Sequence, residues 1–291
     1  PFLLVTSFVN PHNICEWARG DILPDADIGT PPPVDQCPPL VENTSPMENE
    51  PEIIPQLKKS YQDSKLLPVG NFDENKWREY RWAYYRMIEK VDALIGKVIQ
   101  SLRNSGQYEN TVIVFTSDHG DMQGAHGWNQ KTVLFEESIR VPLIISEPNR
   151  NKQVAVDSLV NTGIDILPTL CDYAGINISQ NYPGISLKAG KINKREYVVV
   201  ENKMIQGEPI EGQKPEPSGR MVRSKKYKYC IYDTGKWNES LVDLDKDPGE
   251  MKNVAGQKEY KKVLDQHRQY LVEWCKKYDD SFSDMVSSLN N

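Results

Sequence analysis

The chain has 291 residues, of which 38 % are hydrophobic and 26 % charged, with a net charge of −6 and a pI near 5.4. That composition can build a core and excludes a disordered chain, while the acidic balance excludes a general nucleic-acid binder. Apolar runs such as Phe2–Val5 and Val141–Ile145 are far too short to span a membrane, and five cysteines are too few for a disulfide scaffold.

Residues 2–9 form a mostly apolar run bounded by Pro1 and Asn10-Pro11, the pattern of a strand buried on both faces. A chain that opens on such a strand implies a preceding segment. Residues 24–55 hold nine of the 20 prolines, which predicts an irregular loop, either lining a site or running over the surface. Over 74–104 the residues Trp77, Tyr80, Tyr84, Met87, Val91, Leu94, Val98 and Leu102 repeat at the spacing of one helical face. Asn71 or Asp73 can cap that helix, and Gly106 can end it. The β-branched run 111–116 predicts a strand, 141–146 another, and 157–174 a helix that contains Pro168 and ends at Gly175. Strand and helix alternating in this way predict an α/β fold with a mostly parallel sheet flanked by helices. Past residue 190 the pattern changes. Strands at 197–201, 227–232 and 241–244 lie close together and a last amphipathic helix includes Tyr260, Leu264, Leu271 and Trp274, so a small antiparallel sheet with one covering helix is expected. The division is therefore 1–190 and 191–291, the second part an α+β subdomain.

Ser117-Asp118-His119-Gly120 follows the 111–116 strand directly. Ligands of open α/β sheets sit beyond strand ends, and a carboxylate beside an imidazole suits a divalent metal. A bare Asp-His-Gly is also ordinary turn chemistry. The longer context is more specific: Gly124-Ala125-His126-Gly127, then Lys131, then Glu136-Glu137-Ser138-Ile139-Arg140-Val141-Pro142. Over Asp118–Pro142 the chain resembles the sulfatase family of the alkaline-phosphatase-like superfamily. Ser7–His12, the Asp165-Ile166-Leu167-Pro168-Thr169 helix, Arg223–Tyr229 and Asp243–Glu250 with Asn253 are similar to further stretches of that family.

The resemblance implies that Asp118 is a metal ligand and that His119 touches the metal or the sulfate ester. It implies that Lys131 bridges a sulfate oxygen and the nucleophile, and that His12 stands beside the leaving oxygen. The chemistry suits these roles, since sulfuryl transfer loads charge onto peripheral and leaving oxygens, which cations stabilise and an imidazole can protonate. Calcium is the implied ion and a sulfated carbohydrate the implied substrate, with an exported location. The triplets starting at Asn43, Asn177 and Asn238 are glycosylation sequons, a pattern that also arises by chance. His126 reads as structural, His267 as solvent-facing, Arg220 and Arg223 as surface or ion-pair residues, and Asp245–Glu250 as a turn.

The family's nucleophile is a formylglycine made from Cys or Ser in Cys/Ser-x-Pro/Ala-x-Arg. Cys15-Glu16-Trp17-Ala18-Arg19 departs from it, with Trp17 at the Pro/Ala position and the motif after the Pro-His strand instead of before it. The expectation is that the nucleophile and the paired carboxylates completing the metal site precede Pro1, and that Cys15 is an ordinary thiol. Two other readings stay open: a phosphonate monoester or phosphodiester hydrolase of the same superfamily, and a non-catalytic sulfoglycan-binding protein.

Overall fold

The apolar stripe of 74–104 folds as one helix, Glu74–Asn104, and Asp73 is its cap, accepting the Lys76 N–H at 2.8 Å. The computed structural model describes residues 2–289 apart from 26, 66, 149–155, 180 and 189–194. In chain order its helices are α1 (Ile14–Arg19), α2 (Ile53–Gln62), α3 (Glu74–Asn104), α4 (Glu136–Ile139), α5 (Thr162–Ala174), α6 (Lys261–Tyr278) and α7 (Phe282–Ser288). Its strands are β1 (Ile113–Thr116), β2 (Leu143–Ser146), β3 (Tyr197–Lys203), β4 (Ser218–Ser224), β5 (Tyr227–Tyr232) and β6 (Glu239–Asp243).

β3 to β6 form an antiparallel meander in chain order. Both of its faces are apolar. Met221, Cys230, Tyr232 and Val242 point to one side and pack with α2 and the segment Met122–Phe135. Val199, Val222, Tyr229, Ile231 and Leu241 point to the other and pack with α6 and α7. The period-two alternation of a pleated strand is what sends neighbours to opposite cores. A third cluster joins Ile14 and Cys15 of α1 to Tyr80, Ala83 and Met87 at the head of α3.

The mostly parallel sheet is not confirmed among the described strands, where β1 and β2 pair antiparallel, Thr116 opposite Leu143 and Ile113 opposite Ser146. The reason lies in the excursion between them, where the Gly120 N–H donates to the Ser138 carbonyl at 2.8 Å. That bond brings the chain back to the edge it left, and the one turn of α4 is no crossover helix. Residues 2–9 form no strand, because no described strand runs beside them to pair their backbone; Phe2, Leu3, Leu4 and Val5 are 63, 71, 69 and 75 % exposed. The second predicted helix begins at Thr162, five residues late, because Asn161 caps it by accepting the Gly163 N–H at 3.1 Å. His267 is buried instead of solvated: its Nδ1–H donates to the Val263 carbonyl at 2.8 Å, leaving Nε2 to accept from the Ser224 hydroxyl at 2.9 Å.

Candidate active site

β1 delivers Asp118 and His119 two and three residues past its end. The Asp118 carboxylate accepts from the His119 N–H at 3.0 Å and the Ser117 hydroxyl at 3.3 Å, and its side chain is still 83 % exposed. Burial nudges this carboxyl upward, but the charge of His119 and the backbone N–H hold it below the usual range. The His119 Nδ1–H donates to the Gly120 carbonyl at 2.8 Å. In the neutral ring that hydrogen bond puts the proton on Nδ1 and leaves Nε2, 3.6 Å from Asp118, as the acceptor. Gly120 is required here, since a Cβ would lie 1.9 Å from the Glu137 carbonyl oxygen.

His12 arrives from another part of the chain, in the turn before α1, where its N–H donates to the Val9 carbonyl at 3.0 Å. Its imidazole is held below its ordinary pKa by partial burial first and by the charge of Lys131 second, with His119 adding to that and Glu16 and Asp118 opposing it. His12 therefore feels the charges of Lys131, His119 and Asp118, which come from two other segments of the chain. Lys131 makes no ion pair with any described residue. It sits between two residues with left-handed backbone, Gln130 at φ 60° and Thr132 at φ 97°. His126 does not join them. It stacks on Phe135 with ring centroids 4.0 Å apart, and burial drives its pKa down to about 4.

Residues 1–176 match the family described as Sulfatase, and residues 124–277 match the one described as N-sulphoglucosamine sulphohydrolase, C-terminal. The chain belongs to the sulfatase family. Among its sulfatase relatives, the Delta 4,5-hexuronate-2-O-sulfatase of Bacteroides thetaiotaomicron is 31 % identical over 291 residues, 97 % of this chain and 58 % of the relative. A solved structure described as a 2-O GAG sulfatase aligns with a TM-score of 0.79 and 29 % identity, over 94 % of this chain and 59 % of that one. The phosphonate monoester hydrolase of Agrobacterium radiobacter aligns with a TM-score of 0.68 and 26 % identity, over 87 % of this chain and 55 % of that one. The chain therefore spans somewhat over half the length of these proteins.

Asp118 and the Nε2 of His119 fit a divalent metal as two of its donors, one carboxylate turned to solvent and one free lone pair. Calcium takes about six to eight oxygens, so these two donors would make only part of such a site. No group of three or more His, Cys, Asp or Glu residues forms a cluster among the described residues. Cys15 is a packing residue: it is buried against the head of α3, and burial pushes its thiol up to about 11. Arg19 is committed to Asp21 at 2.6 Å and Glu16 at 3.0 Å. The sulfatase nucleophile spacing also occurs at Ser146-Glu147-Pro148-Asn149-Arg150, which the sequence reading passes over. Ser146 lies opposite Ile113, at the far end of β1 from Asp118, so the site does not use it.

Sequence reasoning missed a buried charge network behind the site. Lys228 pairs with Glu250 and lies 3.7 Å from Glu136, which Arg223 meets at 3.2 Å. Glu250 also accepts the Glu136 N–H at 2.6 Å, so the network anchors the Glu-rich stretch to β4 and β5. A lysine inside a strand with apolar neighbours, Tyr227-Lys228-Tyr229-Cys230, was the available signal. Asp165 is a similar hub: Arg195 holds it with two bonds of 2.8 and 2.9 Å, and it accepts the Asn161 and Ile185 N–H groups.

Proposed function

We propose that the intact protein hydrolyses sulfuric esters of a carbohydrate and that this chain supplies one half of the reaction centre. The observation that supports the reading is that the charges of Lys131, His119 and Asp118 all act on His12. Lys131 would hold a sulfate oxygen, its ammonium having no ion-pair partner among the described residues to compete. His12, its pKa lowered by burial and by Lys131, would stand beside the leaving oxygen, take up a proton from solvent and pass that proton to the oxygen as it leaves. Asp118 and His119 would hold a divalent ion, most simply calcium, whose chemistry is to draw charge from the ester oxygens. A formylglycine outside these residues would supply the nucleophile.

The relative named as a hexuronate-2-O-sulfatase and the neighbour named as a 2-O GAG sulfatase favour a sulfated uronate as substrate. We also propose that further strands complete an alkaline-phosphatase-like sheet beside β1 and β2, whose Phe115 and Ile144 are 38 and 58 % exposed. We further propose a boundary between the two parts near residue 190 and an exported location to match the glycan substrate. Of the three sequons, Asn177 is exposed, whereas the Asn43 amide is bonded to Glu137 at 2.7 Å and that of Asn238 to the Tyr232 carbonyl at 2.7 Å.

The likeness to a phosphonate monoester hydrolase keeps one second reading in play. The experiment is a comparison of substrates: the intact protein is assayed with a sulfated uronate, an aryl sulfate and an aryl phosphonate, with calcium present. Sulfate release well above phosphonate cleavage is expected, and the reverse order would refute the sulfatase reading.

A further inference from the structure

We propose that Asn202 of β3 is a positioning residue that sets Lys131 in the site through the backbone of Thr132. The proposal rests on the reading of Lys131 as the sulfate contact. Asn202 donates its side-chain amide to the Thr132 carbonyl, 70 residues away in sequence. Thr132 is β-branched and holds φ 97°, a region such residues rarely enter, so neighbours must keep it there. Gln130, on the other side of Lys131, is left-handed at φ 60°, and its carbonyl is held by the Met122 N–H at 2.8 Å. Lys131 is thus pinned from both sides, by its own loop at Gln130 and by the C-terminal sheet at Thr132.

The seat continues one strand over. Asn202 pairs in register with Gly219 of β4. A Cβ at Gly219 would lie 3.1 Å from Cδ1 of Leu134 and 3.1 Å from the Tyr232 ring. The small residue lets Leu134 settle on the sheet, two residues after Thr132. Asn202 and Gly219 together form a polar and a close-packed contact under the Thr132–Leu134 turn. Release of the Asn202 bond frees Thr132 to relax toward ordinary backbone angles, which swings the ammonium of Lys131 off its mark. A misplacement of about 1 Å in a positioned group can cost on the order of a hundredfold in rate.

The test uses the intact protein with Asn202→Ala, Asn202→Asp, Lys131→Ala, Thr132→Gly and the double variants. Asn202→Asp keeps the shape of the side chain and loses the donor. Both Asn202 variants should fold and lose on the order of a hundredfold in turnover. Asn202→Ala should cost nothing further in the Lys131→Ala background, whereas a residue of merely structural value would add its own loss. Thr132→Gly should recover much of the loss in the Asn202→Ala background, because glycine takes φ 97° freely. A second readout needs no turnover: the rate at which an amine-reactive ester labels Lys131, followed by peptide mass spectrometry. Labelling should rise several-fold in both Asn202 variants. Unchanged labelling, or equal losses with and without Lys131, would overturn the proposal. If the wild type hydrolyses no sulfate ester, the functional reading fails and the labelling rates alone decide the position of Lys131.

Discussion

Lys228 carries its ammonium into the interior and meets Glu250 there, the two side chains being 2 and 1 % exposed. The pair sits between β5 and the Glu-rich stretch, with Glu136 and Arg223 completing the charge balance. Removing one member of such a group leaves the other charge buried and uncompensated. Lys228→Met should therefore destabilise the fold by about 3–5 kcal/mol in urea unfolding. Lys228→Met with Glu250→Gln should cost much less than the sum of the two single changes. Additive losses would show that the pair is not coupled.

His126 gives the fold an acid limit. Its folded pKa is lowered to about 4 by burial, against 6.5 for a free imidazole. The unfolded chain then binds the proton more tightly, so stability is full above pH 6.5 and is lost as pH falls toward 4. The loss should approach on the order of 3 kcal/mol. His126→Asn, which tolerates the left-handed φ of 52°, should flatten the stability profile between pH 4 and 6.5 even if it lowers the plateau. An unchanged slope would assign the acid sensitivity elsewhere.

Cys15 should be dispensable for chemistry. It is buried, its thiol is pushed up to about 11, and it packs on α3. Cys15→Ala should cost about 1 kcal/mol of stability and leave turnover within about twofold of wild type. Complete loss of turnover in a folded Cys15→Ala protein would make Cys15-Glu16-Trp17-Ala18-Arg19 the nucleophile motif after all.

Gly120 should resist even the smallest side chain. With the Glu137 carbonyl 1.9 Å from a Cβ, Gly120→Ala must push the 117–120 turn away from Glu137 and carry Asp118 and His119 with it. Metal affinity measured by calorimetry should fall at least tenfold, in line with the cost of disturbing a ligand's supports. Wild-type affinity would show that Asp118 and His119 are held by something other than this turn.

Local patterns were legible because they report local physics. The stripe from Trp77 to Leu102 could only be a helix, and Asp73 and Gly106 marked its ends. The run Tyr227–Tyr232 was legible as a strand, but its burial on both faces was not, since that comes from the two cores on either side of it. Strand direction was not legible, because the antiparallel return of β2 depends on the Gly120–Ser138 bond across the excursion. The burial of His267 escaped for a related reason: its polar neighbours Asp265 and Gln266 suggested water, while its own face of α6 turns to Ser224 and Tyr227. Helix α2 was missed because Ile53, Ile54, Leu57 and Tyr61 are spread thinly among polar residues and follow a proline-rich stretch. Within the site, Asp118, His119, Lys131 and His12 were legible as motif positions. The supports were not, since Asn202 and Glu250 reach the segment around Lys131 only through tertiary contacts.

The central claim is that groups from three segments converge to hold one sulfate ester, and it is tested most directly by sulfate release from a sulfated uronate by the intact protein and its Lys131→Ala variant. Wild type should release inorganic sulfate, and Lys131→Ala should lose on the order of a hundredfold or more in kcat, as when one preorganised oxyanion donor is removed. Equal turnover by a correctly folded Lys131→Ala protein would contradict the account.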